Sequence, residues 1–442
     1  MVRVRGLDTG LCELYLKLEN QNPGGSIKDR IALAMVEAAE RAGRIKPGDR
    51  LIEATAGNTG ISLALVAAQK GYRLSLVIPD KMSQEKIAHL KALGAEVIIT
   101  RSDVQKGHPD YYMDKAQALT DKTPDSFYVN QFENAANPDA HEQTTAPEIW
   151  RQMNENLDAI VCGVGSGGTL SGLGHYFARV APHLEMILAD PKGSILAPLV
   201  NHGVTVKAGT WLIEGIGEDF VPKVCDIALA KKAYTITDAE SIMTARLVLA
   251  KEGILCGASS GTLIAAALAY CREQKTAKRV VTFVCDSGNK YMSKIYNPAW
   301  LDDHGVIEQP MVDDLRDLIA RPFLRGETVW AAPNETLQHV YAKMRGFDIS
   351  QVPVMDNNKL IGLLGETDIL LTVSGNPAGF GLTVGKIMRQ QRETIDVKSP
   401  VTDLLPIFEQ SGAACVTDQG QFLGLITPID FLNYLRKRTG HE

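Results

Sequence analysis

No stretch of the sequence is apolar for long enough to cross a bilayer. Runs such as residues 61–68 and 263–271 fall far short of the ~18 residues of a membrane-spanning helix. Residues 1–10 also lack the apolar core of a signal peptide. Positive charge is not in excess, because 46 Lys and Arg stand against 52 Asp and Glu. We therefore expect a cytoplasmic protein with no affinity for membranes and no general affinity for nucleic acid.

Paired cysteines are missing as well. The seven cysteines are scattered, with no CxxC pair and no nearby histidine at the spacing of a zinc site. This distribution predicts buried free thiols and no metal site. What remains is ordinary globular composition over 442 residues, 45% of them hydrophobic, which predicts two or three domains.

From about residue 51 to 289, short apolar runs alternate with segments of helical period. Strands are predicted at 51–54, 74–78, 96–100, 159–163, 185–189 and 280–285, and helices between them include 61–70 and 84–93. This rhythm predicts an α/β domain with largely parallel sheets. Ligands of such sheets bind at the carboxyl ends of the strands, so chemistry is expected after Ala54, Gly163 and Cys285.

The rhythm stops at residues 302–325, which we interpret as a linker with some helix around 311–319. It is followed by two similar segments at about 326–375 and 383–438, with a period of about 60 residues. Each is predicted to contain a helix, two strands and a closing helix. The strands should be joined at Asn357-Asn358 in the first copy and at Gln419-Gly420 in the second. Neither copy has a nucleophile with a base, so residues 326–442 are expected to bind rather than catalyse, and residues 1–301 to form the catalytic domain.

The segment NPGGSIKDR, residues 22–30, predicts a turn before a helix that runs to about residue 42, with Ser26 or a neighbour as its N-cap. Lys28 then lies in the first helical turn, where the positive end of the helix lowers the pKa of an amine. Such a lysine suits a nucleophile that later acts as a base. Taken alone, the segment favours a solvated surface lysine.

The loop from Thr55 to Thr59 opens the next helix. Its backbone N–H groups and two hydroxyls can hold a carboxylate, although a helix cap without a ligand is the alternative.

Residues 163–169 form a glycine loop that opens another helix and can bind a phosphate. The same loop matches GxGxxG, with Asp190 at the spacing of a ribose-binding acid, so a nicotinamide enzyme is an alternative.

Taken together, the loops favour pyridoxal phosphate. Its aldehyde needs a lysine, its phosphate a glycine loop, its ring oxygen a donor such as Asn58, and its ring nitrogen a partner such as Ser287. A serine cannot keep that nitrogen protonated as a carboxylate would. The ring is then a weaker electron sink, which favours β-elimination over racemisation or transamination.

The segments NPGGSIKDR, GNTG, NQFENAANP and GSGGT resemble the fold-type II pyridoxal-phosphate enzymes of the cysteine synthase and cystathionine β-synthase group, over nearly the whole chain. DPxGSIL at 190–196, EGIGEDF at 214–220 and a C-terminal pair of CBS domains resemble the cystathionine β-synthase branch. The resemblance implies a tryptophan synthase β-like catalytic fold and a tandem α/β CBS module. The family's usual first helix and its GxTPL motif are missing, so we expect the catalytic domain to be incomplete at its N-terminus.

The resemblance also implies roles for single residues. Lys28 is implied to be the Schiff-base lysine, with Asn58 on the ring oxygen and Ser287 on the ring nitrogen. The implied phosphate-binding residues are Gly165, Ser166, Gly167, Gly168 and Thr169. The residues implied to surround the substrate carboxylate are Thr55, Ala56, Thr59 and Gln131.

The implied reaction is a β-replacement that joins L-serine to L-homocysteine in transsulfuration, by a homodimer or larger homo-oligomer. Ala56 and Phe132 stand where relatives often have Ser and Tyr, which leaves cysteine synthase, using O-acetylserine and sulfide, as an alternative. A nucleotide-sensing binding protein with an inactive catalytic domain is a third. Glu214 is a candidate for handling the second substrate, or else a structural ion pair.

The second CBS repeat alone carries a GxxTxxD pattern, with Thr427 and Asp430 placed to hold a ribose. The first repeat has Gly365 at the threonine position. We therefore expect one adenosyl site, for S-adenosylmethionine or an adenine nucleotide, with a purely structural role for the pair as the alternative.

Overall fold

A computed structural model of the chain describes residues 1–55, 57–80, 82, 84–104, 107–307, 312–390 and 394–439. Ala56, a predicted substrate-binding residue, lies outside the described residues. The chain divides into two compact units, Met1–Leu301 and Asp302–Glu442. Among the described residues, no helix has both the length and the apolar character needed to cross a membrane.

The first unit contains ten strands. They are β1 (Val2–Arg3), β2 (Glu13–Leu18), β3 (Arg50–Ala54), β4 (Arg73–Pro79), β5 (Glu96–Thr100), β6 (Ser126–Tyr128), β7 (Ala159–Gly163), β8 (Glu185–Pro191), β9 (Lys232–Ile236) and β10 (Arg279–Val284). They form a four-stranded sheet in the order β5-β4-β3-β6 and a six-stranded sheet in the order β1-β2-β10-β7-β8-β9. All neighbours are parallel except β1 and β2.

The helices between these strands are α1 (Lys28–Arg41), α2 (Asn58–Lys70), α3 (Gln84–Ala92), α4 (Tyr112–Lys122), α5 (Ala136–Ala140), α6 (Ala146–Gln152), α7 (Gly168–Val180), α8 (Leu196–His202), α9 (Asp238–Glu252), α10 (Ala258–Glu273) and α11 (Pro298–Asp303). A turn of π-helix at His141–Thr145 joins α5 to α6. The α/β fold with parallel sheets agrees with the prediction.

Both faces of the four-stranded sheet are covered. Leu51 of β3 packs with Met35 and Leu63 of α1 and α2 on one face, while Ile52 packs with Ala116 of α4 on the other. This burial explains why these strands are near-continuous apolar runs that sequence can recognise. Four strands were not predicted. β1 has only two residues, both exposed, and β6 has only three. β9 mixes polar and apolar positions, and β2 lies before the region that we interpreted as α/β, although its alternation is clear.

The second unit contains the two predicted repeats. The first has α12 (Leu337–Phe347), β11 (Gln351–Asp356), β12 (Lys359–Gly365), α13 (Glu366–Val373), α14 (Val384–Ile387) and β13 (Arg389–Gln390). The second has β14 (Ile395–Asp396), α15 (Leu404–Ser411), β15 (Ala414–Asp418), β16 (Gln421–Ile426) and α16 (Pro428–Thr439). Each contributes a three-stranded sheet, β11-β12-β13 and β14-β15-β16.

The turns between the paired strands lie where predicted. Asn357 and Asn358 have φ of 47° and 62°, and Gln419 and Gly420 have φ of 48° and 83°. Two successive residues at positive φ are what a tight hairpin turn requires, because such a turn follows the twist of the strands. The helix predicted around 311–319 is wrong in extent. Residue 311 lies outside the described residues, and the rest holds only a 3-10 turn at Leu315–Leu318, after Asp313 at a φ of 59°.

Candidate active site

Lys28 is the first residue of α1, as the sequence predicted. The hydroxyl oxygen of Ser26 accepts a hydrogen bond from the Lys28 backbone N–H at 3.2 Å. Ile27 donates its N–H to the carbonyl of Cys285 at 2.8 Å, immediately after β10 ends. These contacts bring the start of α1 to the carboxyl edge of the six-stranded sheet.

The electrostatic surroundings of Lys28 favour a neutral amine. Burial lowers the pKa of its ammonium group, and negative charge on Cys285, Glu218 and Asp286 opposes this effect. Burial also raises the pKa of the Cys285 thiol to about 12, so that thiol is neutral near pH 7. Burial is the largest of these effects, so the pKa of Lys28 remains below its ordinary value.

The loop between β3 and α2 reaches a second turn of the chain. Thr59 in the first turn of α2 donates its hydroxyl to the side-chain oxygen of Gln131 at 2.8 Å. Thr55 accepts the N–H of Gly57 at 3.2 Å. Thr55, Thr59 and Gln131 are all buried. The predicted carboxylate-binding residues of the described chain thus lie together at the N-terminus of a helix, where anions are stabilised.

The glycine loop between β7 and α7 is packed too tightly for side chains. A Cβ on Gly168 would lie 1.9 Å from Oδ1 of Asn137, and one on Gly165 would lie 2.4 Å from the carbonyl oxygen of Gly215. Asn137 also donates from Nδ2 to the backbone oxygen of Gln131 and to the Ser166 hydroxyl, at 2.7 and 2.9 Å. The loop is therefore joined to the carboxylate-binding turn through one buried amide.

His141 contacts the same loop and is affected by the charge of Lys28. Its Nε2 lies 3.3 Å from the Thr169 hydroxyl, and its Nδ1 lies 2.9 Å from the Thr145 hydroxyl. Burial lowers the pKa of His141 to about 3, with the charge of Lys28 as the next cause. The imidazole is therefore neutral at physiological pH and acts as a hydrogen-bonding partner of Thr169.

The turn after β10 carries a buried carboxylate beside Ser287. Asp286 accepts hydrogen bonds at Oδ2 from Asn58 and from the Tyr291 hydroxyl, both at 2.7 Å. Ser287 donates its backbone N–H to the carbonyl of Gly25 at 3.1 Å, in the turn before Lys28. The turn after β10 thus joins Asn58 at the start of α2 to the loop that leads into α1.

Glu214 forms ion pairs with two lysines. Its carboxylate lies 2.6 Å from the Lys86 ammonium and 2.7 Å from the Lys294 ammonium. Burial would raise the pKa of Glu214, but the two lysines lower it overall. Of the two roles considered for Glu214, the structural ion pair is the one that these contacts favour.

The residues present fit pyridoxal phosphate. At Gly165 and Gly168 any side chain would collide with backbone or with Asn137, so backbone N–H groups remain free to approach a phosphate. Asp190, the acid expected to hold a ribose in the nicotinamide alternative, is fully buried and accepts the Ala197 N–H at 2.8 Å. The acid therefore stabilises the start of α8 and is not available for a dinucleotide.

Four contributors to the site were not given a role from sequence: Asn137, His141, Asp286 and Lys290. Asn137 stands in the NQFENAANP segment and Asp286 beside Ser287, so both were near a signal. No sequence signal identified Lys290, because its partners Gly24, Gly25 and Asn58 are more than two hundred residues away. The partners of His141 are the hydroxyls of Thr145 and Thr169, and a lone histidine beside such residues carries no distinctive pattern.

Comparison with known proteins agrees with this arrangement. Residues 1–286 match the pyridoxal-phosphate dependent enzyme family, and residues 315–375 and 384–437 each match the CBS domain. The chain is 37% identical to a cystathionine β-synthase of Dictyostelium discoideum, over 99% of this chain and 90% of that protein. It is 41% identical to a cysteine synthase of Staphylococcus aureus (strain Mu50 / ATCC 700699), over 66% of this chain and 92% of that one.

Among solved structures, the chain is similar to a hydrogen sulfide-producing enzyme from Fusobacterium nucleatum. The TM-score is 0.61 with 38% identity, over 66% of this chain and 95% of that chain. The match to the pyridoxal-phosphate dependent enzyme family confirms the predicted cofactor, in place of the nicotinamide alternative. The chain belongs to the pyridoxal-phosphate-dependent enzymes, and within them to the cystathionine β-synthase family of lyases with C-terminal CBS domains.

Proposed function

We propose that the enzyme joins L-serine and L-homocysteine by β-replacement, giving L-cystathionine and water, the entry step of transsulfuration. The observation that carries this proposal is the position of Lys28 between two anion-binding turns. His141 lies 3.3 Å from the Thr169 hydroxyl of the glycine loop, and Asp286 accepts a hydrogen bond from Asn58 at the start of α2 at 2.7 Å. Both residues also interact electrostatically with Lys28. A lysine with a lowered pKa between these turns suits a proton transfer next to a bound amino acid.

The residues divide the work as follows. Bound pyridoxal phosphate supplies an electron-withdrawing ring that stabilises negative charge at the α-carbon of the substrate. Thr59 and Gln131 hold the substrate carboxylate at the N-terminus of α2. Lys28 takes the α-proton on Nζ and returns a proton to the departing hydroxide. Ser287 offers the ring nitrogen a hydroxyl in place of an acid, which favours departure of the β-substituent over reprotonation of the α-carbon.

Homocysteine is preferred to sulfide as the second substrate because the similarity to a cystathionine β-synthase covers 99% of this chain, including the CBS domains. The cysteine synthase match stops at 66% of the chain. Cysteine synthase remains a second candidate on one observation. Phe132 is buried against Phe220, with ring centroids 5.7 Å apart, and has no hydroxyl to assist the departure of hydroxide. An activated serine needs less assistance.

The test is a set of four kinetic measurements on purified holoenzyme. Values of kcat/KM are obtained for serine and O-acetylserine, each with homocysteine and with sulfide. Serine with homocysteine should give the highest value, and cystathionine should be the product. Exclusive use of O-acetylserine with sulfide would replace this proposal with cysteine synthase, and no turnover in any combination would favour a binding protein with an inactive catalytic unit.

We further propose one adenosyl-binding site in the second CBS repeat. Asp430 accepts hydrogen bonds at Oδ2 from the N–H and hydroxyl of Thr427, at 2.7 and 2.6 Å. In the first repeat, Asp368 accepts the Gly365 N–H at 2.8 Å and forms an ion pair with Arg389 at 3.0 Å. Because Arg389 already pairs with Asp368, this carboxylate is less able to bind a ribose. The difference between the repeats supports a single adenosyl site, in the second repeat. For S-adenosylmethionine or an adenine nucleotide to regulate turnover, it must bind one arrangement of the protein more tightly.

The setting of the enzyme is also proposed. The seven cysteines are all free thiols, which supports action in a reducing compartment such as the cytoplasm. The family likeness supports a homodimer or larger homo-oligomer, which sedimentation of the holoenzyme would measure.

A further inference from the structure

Lys290 lies in the 3-10 turn Gly288–Tyr291 that follows Ser287, and only 8% of it is exposed. Its ammonium group donates hydrogen bonds to Oδ1 of Asn58 at 2.8 Å and to the carbonyl of Gly24 at 2.9 Å. The carbonyl of Gly25 is a weaker partner at 3.3 Å. A buried ammonium group is costly unless it is hydrogen-bonded, so this position requires all three oxygens.

The contact with Asn58 determines which way its amide faces. An ammonium group can only donate, so it must meet the oxygen end of the amide. At the other end, Nδ2 donates one hydrogen to Asp286 at 2.7 Å. A primary amide nitrogen carries two hydrogens, and the Asn58 side chain also acts as a donor toward the Tyr291 hydroxyl, whose pKa it lowers. The nitrogen end of the amide is therefore the donor end. Lys290 and Asp286 together exclude the reversed amide.

The contacts with Gly24 and Gly25 join this amide to the turn before Lys28. Gly25 has a φ of +71°, and a Cβ there would lie 3.6 Å from the Lys290 ammonium. The N–H of Gly24 is held from the other side by Asp29 at 2.7 Å. One buried side chain therefore connects the loop that carries Lys28 with the residue proposed to contact the cofactor ring.

We propose that Lys290 is a positioning residue: by binding the oxygen of the Asn58 amide, it fixes the nitrogen end as the donor for the ring oxygen of pyridoxal phosphate. It also holds the Gly24–Gly25 turn in register with that amide. The inference rests on the proposed role of Asn58. A donor held at the ring oxygen stabilises the form of the bound cofactor in which that oxygen is anionic and which absorbs in the visible. Because the Lys290 charge also polarises the amide, the donor becomes stronger.

The experiment compares Lys290→Met, Lys290→Arg and Asn58→Ala holoenzymes, with Lys294→Met as the matched control. Lys294 lies four residues further on and pairs with Glu214 instead of Asn58. The readouts are the ratio of visible to near-ultraviolet absorbance of the bound cofactor and the rate of its release to a trapping reagent. Far-ultraviolet circular dichroism checks that each variant is folded, and Lys290→Gln replaces Lys290→Met if that variant is not.

Loss of a hydrogen bond from a charged donor predicts a shift toward near-ultraviolet absorbance and about tenfold faster release in Lys290→Met. Partial recovery is expected in Lys290→Arg, and no change in Lys294→Met. Adding Lys290→Met to Asn58→Ala should not shift the absorbance ratio further, because the amide that Lys290 positions is already gone. If Asn58→Ala shifts the spectrum and Lys290→Met does not, or if their effects on the absorbance ratio add, the inference about Lys290 is wrong. If Asn58→Ala itself leaves the spectrum unchanged, the failure lies in the proposed role of Asn58.

Discussion

The hydroxyl of Thr59 donates a hydrogen bond to the side-chain oxygen of Gln131 across 2.8 Å, joining the start of α2 to the turn after β6. Both residues were predicted to surround the substrate carboxylate, although they lie far apart in the sequence. The contact makes the amide nitrogen of Gln131 the donor end of that side chain, and this end also hydrogen-bonds the Glu53 carboxyl group. Behind it, Glu53 accepts the Gln131 backbone N–H at 3.4 Å.

Glu53 should make the stability of the protein depend on pH. Burial raises its pKa from 4.5 to about 8, against the lowering effect of hydrogen bonds from Gln131 and Asn130. The folded protein therefore keeps a proton that the unfolded chain has lost, and the stabilisation present below pH 4.5 declines as the pH rises toward 8. Glu53→Gln removes the titration and keeps an acceptor for the Gln131 N–H.

As the pH rises from about 5 to about 8, the thermal unfolding midpoint of the unmodified protein should fall relative to that of Glu53→Gln. The difference between the two midpoints should therefore change in favour of the variant. Glu155→Gln changes the same charge at an exposed position and serves as the control. A constant difference in midpoint across this range would mean that Glu53 is not protonated in the folded protein.

Ser287→Asp should redirect the chemistry. A carboxylate at this position would keep the cofactor ring nitrogen protonated, which stabilises charge at the α-carbon and slows departure of the β-substituent. We expect cofactor retention, a fall of about 10- to 100-fold in β-replacement, and a rise in racemisation or transamination products. Ser287→Ala, which keeps the position uncharged, should change the rate much less. Equal rates and spectra in Ser287→Asp and the unmodified enzyme would show that Ser287 does not face the ring.

Phe132→Tyr should improve the use of serine relative to O-acetylserine. A phenol hydroxyl near the leaving group can donate to departing hydroxide, and one such hydrogen bond corresponds to about a fivefold gain in kcat/KM for serine. Phe220→Tyr, on the neighbouring ring 5.7 Å away, is the matched control. No change in the ratio of the two donors would exclude position 132 as a determinant of the leaving group.

Asp430→Asn should abolish binding of the adenosyl ligand, while Asp368→Asn should leave it unchanged. Asp430 accepts hydrogen bonds within its own GxxTxxD turn, whereas Asp368 is paired with Arg389. Calorimetric titrations of the full-length enzyme with S-adenosylmethionine, AMP and ATP would measure this, with a loss of at least about tenfold expected for Asp430→Asn. Heat from none of the three compounds would leave the CBS pair with a structural role, and equal losses in both variants would argue for two sites.

The local structures around the candidate site that sequence predicted correctly are those encoded in one short segment. The glycine loop, the Thr55–Thr59 turn and the Lys28 turn each combine small residues with a helix start, and that local pattern is sufficient to place them. The strands around them are buried on both faces, so their apolar runs are conspicuous.

What sequence did not predict depends on contacts between distant segments. Asp286 accepts hydrogen bonds from the side chains of Asn58 and Tyr291. Lys86 forms an ion pair with Glu214. Folding is what brings these side chains together. A lone lysine or aspartate in sequence is usually solvated, so nothing in the local pattern separates Lys86 or Lys290 from a surface residue. Burial decides the difference, and burial depends on how the two sheets and their helices pack.

Lys28→Ala should reduce turnover by about a thousandfold or more, because a single side chain holds the cofactor and moves the proton. The glycine loop remains, so the variant should still bind cofactor, with altered absorbance. A variant with full activity would mean that another residue transfers the proton.

The central claim, that Lys28 is the residue that holds the cofactor, is tested most directly by reducing the holoenzyme with borohydride and mapping the labelled peptide by mass spectrometry. The account predicts loss of the visible absorbance and a cofactor-derived mass on Lys28 alone, with no label in Lys28→Ala. A label on Lys86 or Lys290 in place of Lys28, or no labelled peptide from active enzyme, would contradict it.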